Sequence, residues 1–560
     1  MADVPLSPVE KIKSASRLLR GTLAEGLADS VTGSIAEDDT QLIKFHGSYQ
    51  QDDRDLREER RLQKLEPAFS FMIRTRLPGG VCSSAQWLAL AALARDGANG
   101  TLRITTRQAF QLHGILKRDL KGVMQRLNAA LLDTLAACGD VNRNVMASAT
   151  PVESAVHAEA HAWAARISEH LLPKTHAYRE IWLDGERVRD AEEAEPVYGR
   201  TYLPRKFKIG IAVPPGNDVD VHSQDIGLIA IVEAGRIAGF NVLAGGGMGT
   251  THQDPATFAR LADSLGYVAA ADVLGVAEAI VTTQRDFGDR TTRKHARLKY
   301  TLADRGVEWF RGEVERRSGV RFAPARPYAF TTNADRFGWS RGIDGLWNLT
   351  LRIEAGRVMD RPGAPLFTGL ATVAAVHGGG FRLTPNQNVV IANVPEDERA
   401  RVDRLVRQYG LDGYRAASPV RSAALACVAL PTCSLAMAEA ERYLPRLLYV
   451  VEGLLSRHGL LGQPLALRIT GCPNGCARPF LAEIALVGKA PGRYNLFLGG
   501  DGQGTRLNVL HLENVDEGTI LETLNGLLAR YQAERTPEER FGDFLWRQRL
   551  IAAPALAAAS

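Results

Sequence analysis

Four residues recur at a single spacing: Ile211, Pro215, Ile226 and Leu228 return as Ile469, Pro473, Ile484 and Leu486, each 258 positions later. A fixed internal offset is the signature of a repeated structural unit, and it constrains the fold more tightly than any single motif. After a loop four residues shorter in the second copy, FNVLAGGG at 240–247 returns as YNLFLGGD at 494–501. A third pair lies outside these units: GTLRITTRQ, starting at Gly100, is similar to GGFRLTPNQ, starting at Gly379. Three pairs in the same order predict a duplicated chain with pseudo-two-fold symmetry. Its 560 residues suit about three or four domains of ordinary size.

The copies differ where chemistry is expected. Cys472 and Cys476 fall opposite Pro214 and Asp218, so only the second copy carries thiols there. Of six cysteines, Cys427, Cys433, Cys472 and Cys476 lie within fifty residues, as C-x5-C and C-x3-C separated by 38. Four soft thiolates are the ligand set of a [4Fe-4S] cluster. Structural zinc is the rival reading, although zinc knuckles favour two-residue spacing within each pair. Buried free thiols are the third reading, and it suits Cys82 and Cys138, which lack nearby partners in the sequence. Gly471, Pro473, Asn474 and Gly475 supply the tight backbone that turns Cys472 and Cys476 toward one centre.

Clustered thiols suit a reducing compartment, and the start MADVPLSPVEKIKS has no apolar signal region, so a cytoplasmic location is expected. The chain has no apolar run of about 18 residues. A net charge of +5 over the whole length is too weak to argue for a nucleic-acid partner. Neither a membrane nor nucleic acid is therefore an expected partner, and any strong positive field must be local.

From Phe69 onward the text is mixed α and β: strand-like runs such as TLRITTRQAFQL, KFKIGIAVPP, DIGLIAIV and FNVLAGGG alternate with long helical stretches. Reading TLRITTRQAFQLHG as one strand places Arg103, Arg107, Gln111 and His113 on one face and Leu102, Ile104, Phe110 and Leu112 on the other. Periodicity alone favours an exposed polar face. Lys206 and Lys208 in RKFK also share a face, with Phe207 pointing away; two such lysines are ordinarily a solvated edge. HAEAH at 157–161 lacks the HExxH order and reads as a helix surface. GGGMG at Gly245 and GGDGQG at Gly499 lack a Rossmann context and read as loops offering backbone N–H groups to carboxylates.

The cysteine pattern, the TGCPNGC loop, NRN at 142–144, LPRKFK at 203–208 and KFHGSYQQDDRD at 44–55 together resemble the sulfite and nitrite reductase haemoproteins. The resemblance runs from about Lys44 to the GDF at 542–544. It implies a sirohaem coupled to a [4Fe-4S] cluster through one shared thiolate. The implied ligands are Cys427, Cys433, Cys472 and Cys476, with Cys476 bridging to the haem iron. It also implies that Arg74, Arg143, Lys206 and Lys208 bind the substrate anion, and that Arg103, Arg107, Gln111, His113, Arg297, Lys299 and Asn474 contact the cofactor. Both lysines together favour sulfite over nitrite within the resemblance.

The expected fold is α+β, internally duplicated, with three domains about a central cofactor site. One is discontinuous and ferredoxin-like, 71–135 with 338–414; the others are 136–337, with the substrate lysines, and 415–560, with the cysteines. Residues 1–70 form an N-terminal arm, read either as a solvated tail or linker or as a docking element. With no flavin or nicotinamide site evident, the resemblance implies electrons from an NADPH-dependent flavoprotein (alpha) reductase partner, for six-electron reduction of sulfite in sulfate assimilation. The alternatives are a ferredoxin-dependent sulfite reductase, a nitrite reductase, and a non-catalytic zinc or iron-sulfur scaffold.

Overall fold

The duplication is plainest in two five-stranded sheets built by the repeats. The computed structural model describes residues 5–149, 154–174 and 195–552, with a small strand pair, Trp182–Leu183 and Glu186–Arg187, between them. The outermost ends of the expected arm and last domain, 1–4 and 553–560, lie outside the described residues. In the first repeat sheet the order is Met146–Ala147, Ile209–Ala212, Ile226–Glu233, Arg236–Ala244, Asp263–Ala269. In the second it is Leu425–Ala426, Leu467–Thr470, Ile484–Ala490, Arg493–Leu498, Val509–Val515. Both begin with two parallel pairings and end with two antiparallel ones. The register repeats as well: Ile211 faces Leu228 in one sheet, and Ile469 faces Leu486 in the other. Ile209–Ala212 and Leu467–Thr470 are buried throughout, as expected of parallel strands covered on both faces.

Two further sheets form the ferredoxin-like part, and each borrows a strand from the other half. The first runs Ser48–Asp52, Phe69–Arg74, Phe110–Ile115, Leu102–Ile104, Arg357–Val358; the second runs Gly338–Arg341, Trp347–Leu351, Val389–Val394, Phe381–Leu383, Val81–Cys82. The related segments at Gly100 and Gly379 thus occupy equivalent places in different sheets, and the exchanged strands tie those sheets together. Trp87 fills the space between them, edge-on to Phe110 at 5.3 Å and tilted against Phe381 at 4.6 Å. Its helix, Ser84–Gly97, starts at a capping box made by Ser83 and Gln86.

Two glutamines join the half-sheets to the repeat sheets. Gln108 and Gln387, each in a left-handed backbone conformation, are equivalent in the GTLRITTRQ and GGFRLTPNQ segments. The Gln108 amide donates to Ala147 O and accepts from Ala147 N; the Gln387 amide does the same with Ala426. Ala426 directly precedes Cys427, so one of these clasps sits at the thiol cluster.

Four expectations need correction. TLRITTRQAFQL is not one strand: Leu102–Ile104 and Phe110–Ile115 form an antiparallel hairpin, because the left-handed Gln108 turns the chain, and Arg107 sits in that turn. Arg103 and Gln111 still share a face, now as cross-strand partners. The N-terminal arm is not a solvated tail. Ser48–Asp52 is an edge strand of the first half-sheet, and helix Pro8–Ala15 buries Glu10 and Lys13 among Asp140, Arg290 and the Leu203 carbonyl. His157 and His161 are core residues rather than a helix surface; the His161 ring contacts the Ser148 carbonyl. In the first glycine loop the N–H groups of Gly245, Gly246 and Gly247 are taken by the Asp225, Gln224 and Arg260 carbonyls, which leaves only Met248 and Gly249 of that loop to offer one. Glycine is required at 246 by close approach, because a Cβ there would lie 2.2 Å from the His222 carbonyl. Among the described residues no helix is long and apolar enough to cross a membrane.

The buried charges of the arm give a direct check. Lys13→Ala leaves Glu10 and Asp140 short of a buried partner and is expected to cost about 3–5 kcal/mol, read as a lowered urea midpoint of the holoenzyme. An unchanged midpoint would show that the arm is not packed as described.

Candidate active site and metal centre

One face of the first half-sheet is polar across all five strands. Cross-strand register sets Tyr49 opposite Met72, Arg74 opposite Gln111, Gln111 opposite Arg103, and Arg103 opposite Arg357. His113 follows Gln111 on that face, and its Nδ1 lies 3.4 Å from Gln51 Oε1. Burial, then Arg357 and Arg103, push His113 well below its usual range, so its ring is neutral at pH 7. The His113 Nε2 and the Arg74 Nε are buried with no hydrogen-bond partner among the described residues.

Lys206 and Lys208 lie on the stretch leading into the first repeat sheet. The Phe207 between them is buried and bridges Asn142, as the alternation predicts. The Arg143 amide donates to the Phe207 carbonyl, which sets NRN beside RKFK. Arg143 itself donates to the Gly139 carbonyl and lies 3.5 Å from the Tyr49 hydroxyl, with Cys138 also against that tyrosine. Among the described residues neither lysine has a hydrogen-bond partner, and the same holds for the side chains of Arg74 and Arg205. Burial, then Arg205 and Arg143, lower Lys206 to about 7. Lys208 lies well below its usual range through burial and then Arg107, Arg297 and Lys206.

The other expected cations are already engaged. Arg103 pairs with Glu441 at 2.7 Å and donates to Ala426 O, while Arg357 takes the other Glu441 oxygen at 2.6 Å. Arg107 donates to Ile209 O and Gln224 Oε1, so it braces the strand that begins next to Lys208. Gln111 donates to the Met72 sulfur. Arg297 pairs with Asp225 at 2.7 Å but keeps a buried Nε without a partner. The Lys299 amine is held by the Gly247, Gly249 and Phe258 carbonyls, and burial followed by Arg297 lowers it to about 6. These residues are engaged by protein groups, whereas the side chains of Lys206, Lys208, Arg205 and Arg74 have no hydrogen-bond partner among the described residues.

The four clustered cysteines converge from two loops of the second repeat. Cys427 Sγ accepts from the Gly471 N–H at 3.2 Å and from Thr470 Oγ1 at 3.5 Å; Asn474 Nδ2 lies 3.7 Å from Cys472 Sγ. Burial and then Cys476 push Cys427 and Cys472 up to about 12, and both also feel Cys433. The thiols thus lie within one another's field, yet among the described residues no three donors converge on a single-ion site. That arrangement fits a polynuclear cluster with one sulfur at each corner better than one tetrahedral zinc. Cys476 is the exposed member, and a thiolate there would raise both Lys206 and Lys208. Cys476 is thus within electrostatic reach of the other cluster thiols and of both lysines. Unpartnered cations and orphaned Arg74, Arg297 and His113 nitrogens suit a carboxylate-rich group such as sirohaem in the same space.

Several site residues were not singled out from the sequence. Tyr49, Gln51 and Arg54 lie within the quoted SYQQDDR text, where alternation marks Tyr49 and Gln51 as one face. Arg54 donates to the Cys433 and Ala436 carbonyls, holding the cluster loop against the arm. Arg205 adjoins the two lysines. Asp220 and Arg478 could be found from the 258-residue offset, which places them at equivalent positions with opposite charge.

The family model described as the nitrite and sulphite reductase 4Fe-4S domain matches residues 162–322, the copy without cluster cysteines. The ferredoxin-like half domain model of nitrite/sulfite reductases matches 64–130 and 340–409. The chain is 62% identical over 552 residues to the sulfite reductase [NADPH] hemoprotein beta-component of Myxococcus xanthus (strain DK1622), covering 99% of this chain and 98% of that one. It is 60% identical to the protein of the same name from Xanthomonas oryzae pv. oryzae (strain PXO99A), covering 98% and 97%. The solved Mycobacterium tuberculosis NirA protein superposes with a TM-score of 0.77 at 26% identity, covering 97% of this chain and 96% of that one. With near-complete coverage at this identity, and with both matched models drawn from the same family, the chain belongs to the nitrite and sulfite reductases.

Proposed function

We propose that this chain reduces sulfite to sulfide as the haemoprotein component of an NADPH-dependent enzyme. The overall change is HSO3⁻ + 6 e⁻ + 6 H⁺ → HS⁻ + 3 H2O. The observation that carries the reading is a pair of half-buried lysines, without hydrogen-bond partners among the described residues, within the field of the one exposed cluster cysteine. Cys427, Cys433, Cys472 and Cys476 would hold a [4Fe-4S] cluster, and Cys476, the exposed one, would also bind the sirohaem iron. When bound, the coupled pair supplies single electrons and a thiolate push that weakens bonds to the distal atom.

The protein's own part is electrostatic and protonic. Lys206, Lys208, Arg74 and Arg143 hold an oxyanion and stabilise charge as oxygen departs. A bound anion favours the ammonium form, so it raises a lysine pKa and secures the proton in place. Lys206, poised near neutrality, then has a proton to give and can regain it from solvent at pH 7. Its field comes from Arg205, Arg143 and Arg297 on the positive side and Cys476 on the negative side.

Lys206→Met and Lys208→Met are each expected to lower sulfite kcat/KM by about 10²-fold or more with iron and sirohaem content intact. The Lys206 pKa is lowered, so the cationic form is lost as pH rises through about 7. Sulfite KM should therefore climb more steeply above that pH in the parent enzyme than in Lys206→Met. Normal sulfite kinetics in both variants would refute the assignment. Specificity constants for sulfite and nitrite, measured side by side, decide between the two anions.

The electron donor we infer is the flavoprotein alpha component, docking on the outer face of the arm. Helix Arg57–Leu62 has no buried residue, and Leu56, Leu62 and Leu65 are exposed around it. This segment adjoins the cluster loop: Arg54 binds the Cys433 carbonyl, Asp55 pairs with Arg442, and Leu435 and Met437 are exposed on the loop itself. Deleting the whole arm would remove a sheet strand, so surface changes are the sharper test. Leu62→Asp with Leu65→Asp should cut NADPH-driven turnover with the reductase about tenfold or more and leave turnover with a small artificial donor unchanged. Equal loss with both donors would defeat the docking assignment.

A further inference from the structure

Asp220 and Arg478 are equivalent under the 258-residue offset, both have left-handed backbone, and they bond to each other through Arg478 Nε and Asp220 Oδ2. Two equivalent points in contact must lie close to the symmetry axis that relates them. The rest of the Arg478 guanidinium agrees: Nη1 donates to the Thr106 carbonyl and to the Pro385 carbonyl, each at 3.1 Å. Thr106 and Pro385 are themselves equivalent, at the offset of 279 that relates GTLRITTRQ to GGFRLTPNQ. Arg468 completes the pairing with Asp220 at 2.7 Å and also donates to the Arg478 carbonyl. One buried guanidinium therefore receives matching carbonyls from both halves of the molecule.

Around this guanidinium the paired carbonyls match, but one hydroxyl does not. Thr106 Oγ1 donates to the Cys476 carbonyl at 2.8 Å, whereas the equivalent Pro385 has no donor to give. Arg478 follows Cys476 by two residues and holds the Thr106 backbone, so the two contacts form a reciprocal clamp between the cysteine loop and the turn. That turn also carries Arg107, which braces the start of the strand beside Lys208. A shift of the clamp would move the thiol relative to the anion-binding wall.

We infer that Thr106, with the Asp220–Arg478 pair, is a positioning device on the pseudo-two-fold axis that sets Cys476 in register with the wall of Arg107 and Lys208. It rests on the reading above for the role of Cys476. Thr106 touches the cysteine backbone rather than substrate, so it acts through Cys476.

The test is Thr106→Val, which keeps the branched shape and removes the donor, compared with Thr106→Ser, which restores it. In purified holoenzyme, Thr106→Val should keep full iron and sirohaem content and shift the haem absorption and electron paramagnetic resonance signals. Its kcat with an artificial donor should fall about fivefold, the worth of one neutral hydrogen bond, with sulfite KM unchanged. Thr106→Ser should return both readouts to the parent values. Asp220→Asn should shift the spectra in the same direction; if it fails to fold, the threonine pair decides. Parent-like spectra and kcat in Thr106→Val would overturn the inference. So would activity lost only in proportion to lost cofactor, which marks simple retention. A parent protein that binds no sirohaem would instead defeat the functional reading itself.

Discussion

Holding several half-buried cations together, without carboxylate partners among the described residues, is the constraint on which the rest of this molecule depends. Both lysines lose hydration, and Lys206 is opposed by Arg205 and Arg143, Lys208 by Arg107, Arg297 and Lys206, so both lie below their usual range. Such a group stays in place only if the surrounding backbone cannot relax. The frame is accordingly over-determined near the site: Arg103 and Arg357 share Glu441, Arg297 is pinned by Asp225, and Lys299 is tied to three carbonyls. The charged residues that resemble ligands thus divide into those engaged by protein groups and those without a hydrogen-bond partner among the described residues.

Duplication supplies that rigidity economically. Gln108 and Gln387 clasp equivalent strand residues, and Asp225 and Glu483, equivalent at the same offset as Asp220 and Arg478, pair with Arg297 and Arg540. The same contacts are therefore made twice around one axis. Function entered by departing from the symmetry in few places: thiols opposite Pro214 and Asp218, a threonine opposite Pro385, and an arginine opposite Asp220. Each departure lies at or near the interface of the two copies, where both contribute to one site.

The repeats, the thiol set and the alternation of Lys206, Phe207 and Lys208 were legible because each depends on local spacing or self-comparison. The Leu102, Ile104, Phe110 and Leu112 core face was legible too, although the strand through it was not. A left-handed glutamine has no strong sequence signature, and without it the hairpin at 105–109 reads as one continuous strand. The arm misled for a different reason. Its charge density suggested solvent, but Glu10 and Lys13 are paired with charges contributed by residues more than a hundred positions away. Long-range pairing of this kind leaves no periodicity. The same holds for Arg103 and Arg107, whose residue types fit a cofactor contact while their partners, known only from the fold, are protein groups.

Cys476 links the two halves of the chemistry through charge alone. As a thiolate it is the negative group that raises both Lys206 and Lys208, against a surrounding of arginines. More negative charge on the cysteine side favours the ammonium forms, and less charge favours release. On the proposed reading, proton occupancy on the lysines would be coupled in sign to electron delivery to the cysteine side. A reaction that consumes equal numbers of electrons and protons would benefit from that coupling, because added negative charge favours the ammonium forms. The opposite arrangement, with a carboxylate beside each lysine, would keep them protonated throughout and remove this response. The absence of such partners among the described residues is thus as much a part of the design as the lysines themselves.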